Sequence, residues 1–380
     1  MENSGFIKLK GHERPLTNIV CDIQNKVIYS SAKDQNIVFW NKNDNKYSNT
    51  IIKGTGATWV VGYTKDNIYT GSADGTMRLL DRKGNNICSY NGSGPIRSIN
   101  YDEEKMIFIV LSKILSQNKS RLNILDKNLN ELSFLDLSNE CNCCTFLNNK
   151  IITGGKDGTL GIYNLEGYDI NLLNLIQSHK SEISKIDFDL RKNILVSSSY
   201  DKNLIIYDLN TFEIKSKYLH CVSILCFSIH PNENVIVLGG GQDKMSVASS
   251  KEDGEFNIIC INSLNSEKLF QFDSKHFGPI NTIAFNLNSY GIISGGEDGY
   301  IHIWNYEKNW IQENKSKFIQ KELDDMRRIL IESQKLYNSL LGAGKKSKNQ
   351  RRNLSKKIEK LQMKLSLSEV ITEVKEEKLI

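Results

Sequence analysis

An aspartate recurs along this chain in one local setting, and its spacing constrains the fold more than any other feature. It stands in SSAKDQNIVFW (Asp34), TGSADGTMRLLD (Asp74), TGGKDGTLGIYN (Asp157), SSSYDKNLIIYD (Asp201), LGGGQDKMSV (Asp243) and SGGEDGYIHIW (Asp298). Asp-Gly between alternating runs is a strong hairpin signal, because Gly accepts φ > 0 and Asp bonds its own backbone. A lone antiparallel meander of this size cannot bury its apolar faces, so copies must pack on copies. Successive gaps are 40, 83, 44, 42 and 55 residues. The 83 reads as two periods with a degenerate copy between them, at roughly Ile107 to Asp126. The 55 reads as one period plus an insertion within SSKEDGEFN. Seven units of about 40–45 residues fit a propeller with one four-stranded blade per unit.

The starts of the units agree. GHERPLTNIV (11–20), SGPIRSINY (93–101) and HFGPINTIAF (276–285) place Pro15, Pro95 and Pro279 just ahead of a first strand. There a residue without an N–H costs no ladder bond. Pro231, in HPNEN, supplies the turn that follows such a strand. The last unit reaches Trp304 with only three strands and then turns helical. FIKL (6–9) precedes the first unit and is expected to supply the fourth, with Phe6–Leu9 beside Ile301–Trp304. That pairing closes the ring and removes both sheet edges. The expected fold is all-β: a seven-bladed propeller over 1–306, closed by the N-terminal strand, with a basic α-helical tail over 307–380.

In the tail Ile319, Leu323, Met326, Leu330, Tyr337 and Leu340 follow 4-3 spacing, interrupted by Ser333, which predicts an amphipathic helix. Gly342 and Gly344 are expected to end it. KKSKNQRRNLSKKIEK (345–360) leads into a second stripe: Leu354, Ile358, Leu361 and Leu365. Of the 49 basic and 44 acidic residues, 18 and 11 lie from residue 305 onward, so a near-neutral body carries a basic tail. Two parts with different partners are implied. Lys345, Lys346, Lys348, Arg351, Arg352, Lys356 and Lys357 are the candidate contacts to RNA or a partner protein, and a solvated helical face is the plainer reading. No aromatic residues interleave them, which weakens base stacking.

Other classes are disfavoured. Nothing approaches the about 18 consecutive apolar residues of a membrane span. The opening MENSGFIKLKGHERP lacks the apolar segment of a secretory signal. Eight cysteines are scattered, most of them in strand-like runs (Cys21, Cys88, Cys226, Cys260), as in reduced thiols of a cytoplasmic protein. Cys141, Cys143 and Cys144 cluster without paired spacing or a nearby histidine, so no metal is expected. Gly239 to Asp243 lacks the Lys-Ser/Thr ending and following helix of a phosphate loop and reads as a hairpin turn. No G-x-S-x-G, no HExxH and no paired catalytic carboxylates stand out. The expectation is no enzyme, no cofactor and no small-molecule substrate.

One constellation invites a catalytic reading. His12, Ser30, Asp34 and Trp40 are matched in spacing by His276, Ser294, Asp298 and Trp304, and again by His179, Ser197, Asp201 and Tyr207. Three copies at one period are not three active sites. The spacing is that of the hydrogen-bond network of WD-repeat blades, in which Asp holds His, and His holds Ser and the indole N–H.

The wording goes further than a generic WD repeat. LKGHERPLT (9–17), SAKD (31–34), GSADGT (71–76), GGGQDKM (239–245), HFGPIN (276–281) and GGEDGYIHIW (295–304), in this order, resemble subunit I of eukaryotic translation initiation factor 3. The resemblance covers about residues 6–304 and is strongest at the two ends. It implies a cytoplasmic, non-enzymatic scaffold that supports mRNA and initiator tRNA recruitment to the small ribosomal subunit. It also implies contacts to two other initiation factor 3 subunits, the B component through its C-terminal helix and the G component. The later blades, around Gln242 and Asp243, are the expected face for the B component. The tail departs from the family, whose members end soon after the last blade. Two other readings stay open: a WD-repeat adaptor in receptor or kinase signalling, and a ribosome-associated RNA-binding factor acting through the tail.

Overall fold

The computed structural model describes residues 5–43, 46–241, 256–286, 291–305, 310–341, 353–360 and 362–363. Within them the apolar runs pair antiparallel into seven four-stranded sheets. Six sheets take four consecutive strands each, spanning 16–53, 58–91, 96–136, 141–177, 183–219 and 224–273. The seventh takes Ile280–Phe285, Gly291–Gly296 and Tyr300–Asn305, and Gly5–Lys10 completes it. Phe6 lies opposite Trp304, Ile7 opposite Ile303 and Leu9 opposite Ile301. The first strands of the blades pack one on the next around a closed circle, and Ile280–Phe285 returns to Leu16–Asp22. This is a seven-bladed β-propeller.

The core lies between blades rather than at one centre. The second strands are buried on both faces, and Ile194–Ser199 and Gly291–Gly296 are buried at every position. At the closing seam Ile293, Ile301 and Ile303 pack on Leu16, Ile19, Ile28, Val38 and Trp40, with Ile7 and Leu9 alongside. Each such side chain contributes about 1.5–3 kcal/mol by leaving water. Outermost strands meet solvent, as the exposed pattern of Asp169–Gln177 records.

The expected degenerate copy is a complete blade, 96–136. Its central hairpin, Ile107–Ile114 with Lys119–Asp126, has no turn Asp. A different polar chain serves there. Ser93 Oγ meets Ser112 Oγ at 3.0 Å, and Asn123 Nδ2 and the Tyr90 hydroxyl both donate to Glu131 Oε2, at 2.9 and 2.6 Å. Most of the insertion expected in SSKEDGEFN lies outside the described residues.

Beyond the propeller, compactness divides the chain into Met1–Lys308 and Asn309–Ile380. The second unit holds a 32-residue helix, Trp310–Leu341. Leu323 and Ser333 are buried on it, and Leu330 and Tyr337 are half-buried. Ser333 therefore continues the apolar stripe rather than interrupting it, since 323, 326, 330, 333 and 337 share one face. A second helix covers 353–360, with Leu354 and Ile358 half-buried. Gly342 and Gly344 lie outside the described residues. Among the described residues no helix is long and apolar enough to cross a membrane.

The hairpin turns share one backbone requirement. The residue after the turn Asp has φ of +70° at Gln35, +86° at Gly75, +84° at Gly158, +72° at Lys202 and +78° at Gly299. A side chain costs about 1–2 kcal/mol in this region, and glycine avoids it. Gln35→Gly and Lys202→Gly are therefore expected to stabilise the protein by about 0.5–1 kcal/mol each. Chemical denaturation would read this as a higher midpoint at unchanged slope.

Candidate functional site

Each hairpin turn reaches back over the loop that enters its own blade, and this places the three His–Ser–Asp sets. In the first blade His12 Nδ1 donates to Asp34 at 3.1 Å, the Ser30 hydroxyl donates to His12 Nε2 at 2.8 Å, and the Trp40 indole N–H donates to Ser30 Oγ at 2.8 Å. Asp34 also accepts the backbone N–H groups of Glu13 and Asn36, both at 2.9 Å. The indole lies across Gly11, where a Cβ would fall 2.4 Å from the ring. In the fifth blade His179 sits 3.2 Å from Asp201 and 2.7 Å from Ser197 Oγ, and the Tyr207 hydroxyl replaces the indole at 3.2 Å. In the seventh His276 lies 3.0 Å from Asp298 and 2.7 Å from Ser294 Oγ.

Trp304 departs from the expected pattern. Among the described contacts its indole does not donate to Ser294. It packs instead against Phe6 at 5.6 Å, Phe272 at 5.6 Å and His302 at 5.8 Å between ring centres. The incoming strand Gly5–Lys10 supplies Phe6, and His302 occupies the register position opposite Ser294 that Val38 fills opposite Ser30. An aromatic cluster has taken the ring away from the serine.

Protonation follows from burial. Burial is the largest influence on His12 and His179 and holds both below the ordinary histidine value, although Asp34 and Asp201 pull the other way. Burial pushes the Asp298 carboxyl up, but His276 and the backbone N–H groups of Tyr300 and Phe277 outweigh it and leave it below its usual range. A neutral imidazole beside a carboxylate carries its proton on Nδ1, which fixes the direction of the chain from indole or hydroxyl to Asp. In form this is a Ser–His–Asp triad. Ser30, Ser197 and Ser294 are all 0% exposed, so a substrate has no way to them.

The turn Asp keeps its place where the histidine is missing. Asp74 accepts from the Thr55 hydroxyl and from the Thr76 N–H at 2.9 Å. Asp157 accepts from Asn139 Nδ2 at 3.1 Å and from the Thr159 N–H at 2.9 Å. The three clustered cysteines do not converge. Cys141 and Cys144 enter the core between the third and fourth blades, and Cys143 enters the next. Burial pushes the Cys141 thiol up to about 12 and Cys144 up to about 11.

Of the remaining candidates, Gln242, Asp243, Lys345, Lys346, Lys348, Arg351 and Arg352 lie outside the described residues, and Lys356 and Lys357 are exposed on the helix 353–360. Sequence reasoning missed the residues that face the central channel. Every first strand carries a β-bulge at the same place, leaving one residue without a cross-strand partner. These are Thr17, Trp59, Arg97, Asn142, Ser184, Leu225 and Asn281, and all seven line a cavity of about 370 Å³ at one mouth of the channel. A bulge re-aims a side chain, and here it does so once per blade. The signal exists only in the register between strands.

The WD domain, G-beta repeat model matches residues 170–208 and 267–305. Curated relatives carry the name eukaryotic translation initiation factor 3 subunit I. The Botryotinia fuckeliana protein is 26% identical over 80% of this chain and 95% of its own. That of Saccharomyces cerevisiae is 27% identical over 80% and 93%, and that of Caenorhabditis elegans 26% over 80% and 97%. Over four fifths of its length the chain is similar to these initiation factor 3 subunit I proteins. Its propeller is also similar to the crystal structure of the WD40 beta propeller domain of Doa1, at a TM-score of 0.65 and 17% identity, covering 80% of this chain and 98% of that one. Both matched windows of this subunit I relative contain a complete His–Ser–Asp set.

Removing the clamp at the closing blade tests its role. Asp298→Ala leaves His276 Nδ1–H and the N–H groups of Phe277 and Tyr300 without their acceptor, an expected cost of about 1–3 kcal/mol. The melting temperature should fall, and an unchanged one would sink the clamp assignment. Acidification should act in the same direction. Unfolding releases His12 and His179 to their ordinary value of 6.5, so below that pH the unfolded chain takes up protons that the folded one refuses. Stability is therefore expected to decline from pH 7 to pH 5, measured by thermal melts across that range.

Proposed function

We propose that this chain is a non-enzymatic scaffold subunit of translation initiation factor 3 that supports mRNA and initiator tRNA recruitment to the small ribosomal subunit through protein–protein contacts. This reading is supported by the similarity to the named relatives over 80% of the chain, and by the burial of the serines in all three Ser–His–Asp sets, which suits a structural role for them. The outer strands supply the complementary half. Leu172, Leu173 and Leu175 of Asp169–Gln177 are about half exposed, and so is Phe134 of the outer strand Glu131–Asp136. Exposed apolar side chains on outer strands suit a partner that covers them.

The partners proposed are the B component of initiation factor 3, through its C-terminal helix, and the G component, in the cytoplasm. The later blades, around Gln242 and Asp243, are proposed as the face for the B component. A second reading gives the tail an RNA contact, favoured by the exposure of Lys356 and Lys357 beside further basic residues. Affinity purification of the full chain and of a tail-deleted chain from cell lysate separates these readings. Initiation factor 3 subunits should co-elute with both forms. A receptor kinase or pre-ribosomal particles in their place would overturn the assignment. Tail-dependent binding that disappears at high salt would mark RNA, because phosphate contacts are lost with rising ionic strength. Asp243→Lys should weaken capture of the B component, and undiminished capture would remove that face from the proposal.

A further inference from the structure

The strand that closes the ring, Gly5–Lys10, has six residues and pairs with a single neighbour, Tyr300–Asn305. His302 sits on that neighbour, opposite Lys8 in register, and is 1% exposed. Its ring stacks on that of His276, 4.0 Å between centres and 14° between planes, and Phe6 meets it edge-on at 5.2 Å. His302 Nδ1–H donates to the Ser274 carbonyl at 2.9 Å. The proton is therefore off Nε2, and Nε2 is shut off from solvent without a partner. A neutral ring bears this idle nitrogen at modest cost, whereas a buried N–H carrying charge and lacking an acceptor costs far more.

The surroundings oppose a charge here as well. The charged and titratable groups that face His302 are Lys8 from the N-terminal strand, His276 from the entering loop, Asp298 from the hairpin turn and Tyr300 on its own strand. Gly291–Gly296 brings only Ser294 opposite it. His276 has no free acceptor to offer, since its two nitrogens are engaged by Asp298 and Ser294. Asp298 in turn is occupied by His276 and the N–H groups of Phe277 and Tyr300. Burial first, then His276, hold the His302 ring down at about 4, with Lys8 adding to them and the Ser274 carbonyl and Asp298 opposing. A proton is welcome at Nε2 only where the ring gains water. The terminal strand is the element that can leave most cheaply, because it ends its sheet, and its departure takes Phe6 and Lys8 off His302.

We propose that the stacked His276–His302 pair makes the ring closure an acid-sensitive latch, in which proton uptake by His302 releases Gly5–Lys10 from Tyr300–Asn305 while the other six blades stay folded. The latch belongs to the chain itself and needs no partner. The open form takes up the proton below the ordinary value of 6.5 and the closed form only near 4, so opening gains about ten-fold per pH unit between them. Hydrogen exchange of the full chain, read by mass spectrometry and corrected for the intrinsic effect of pH, tests this. Protection of the Gly5–Lys10 amides should fall about ten-fold from pH 6 to pH 5 and stay well below that of Ile107–Ile114, in a blade without histidine. His302→Val installs the residue that the first blade carries at this position, Val38, and should remove the pH dependence from the strand. His302→Gln does not titrate either, should do the same, and serves if the valine variant fails to fold. Strand protection that ignores pH, or that falls equally in a folded His302 variant, overturns the proposal. So does loss to the same level in Ile107–Ile114, which marks unfolding of the whole chain, or loss confined to the loop 274–277 with the strand still protected. With neither variant folded, the unaltered chain still separates release of the strand from these two outcomes.

Discussion

The pairing of Gly5–Lys10 with Tyr300–Asn305 is the constraint on which the rest of the propeller depends. Without it the seventh sheet has three strands and an open edge, and Ile7 and Leu9 leave the seam where Ile301 and Ile303 meet Leu16 and Ile19. An open edge is also a template for pairing with other chains. The closure joins residues almost 300 positions apart, so it is the contact least helped by local structure and the last that folding can rely on.

The clamps show how one set of side chains takes its meaning from access rather than identity. Ser, His and Asp stand at hydrogen-bond distance in three blades, with the tautomer that a hydrolase would use. A nucleophile must meet a substrate, and these serines meet only protein. What the array does is hold a loop to a hairpin. There the carboxylate collects backbone N–H groups from both, whereas Asp74 and Asp157, without a histidine, take one hairpin N–H each and reach the loop through the Thr55 hydroxyl and the Asn139 amide.

Most of the architecture was legible in the sequence because a hairpin turn has strict local chemistry. The Asp at each turn and the proline before a first strand depend on a few neighbouring residues, so their period survives where the wording drifts. The third blade was harder to read since its hairpin is longer and its polar chain runs through Ser112, Asn123 and Glu131. Trp304 misled because equal spacing places a ring near the serine without deciding what else competes for it. Ser333 misled in the opposite way, a polar residue small enough to sit on a buried stripe. The channel ring was invisible altogether. Thr, Trp, Arg, Asn, Ser, Leu and Asn share no chemistry, and only the cross-strand register reveals that they occupy one position.

The windows 170–208 and 267–305 each begin on the outer strand of one blade and continue through the first three strands of the next. Sequence repeats and blades are thus out of step by one strand, and every blade is stitched to its neighbour. The same offset has a mechanical consequence at the ends. Gly5 and Asn305 are register partners, so the chain enters and leaves the closing pair at the same place. A pull between the N-terminal strand and the segment after Asn305 would load the ladder one hydrogen bond at a time, as in opening a zip, rather than shearing the whole strand together. The seam that closes the ring is therefore loaded in the geometry that peels rather than shears when its two ends are drawn apart.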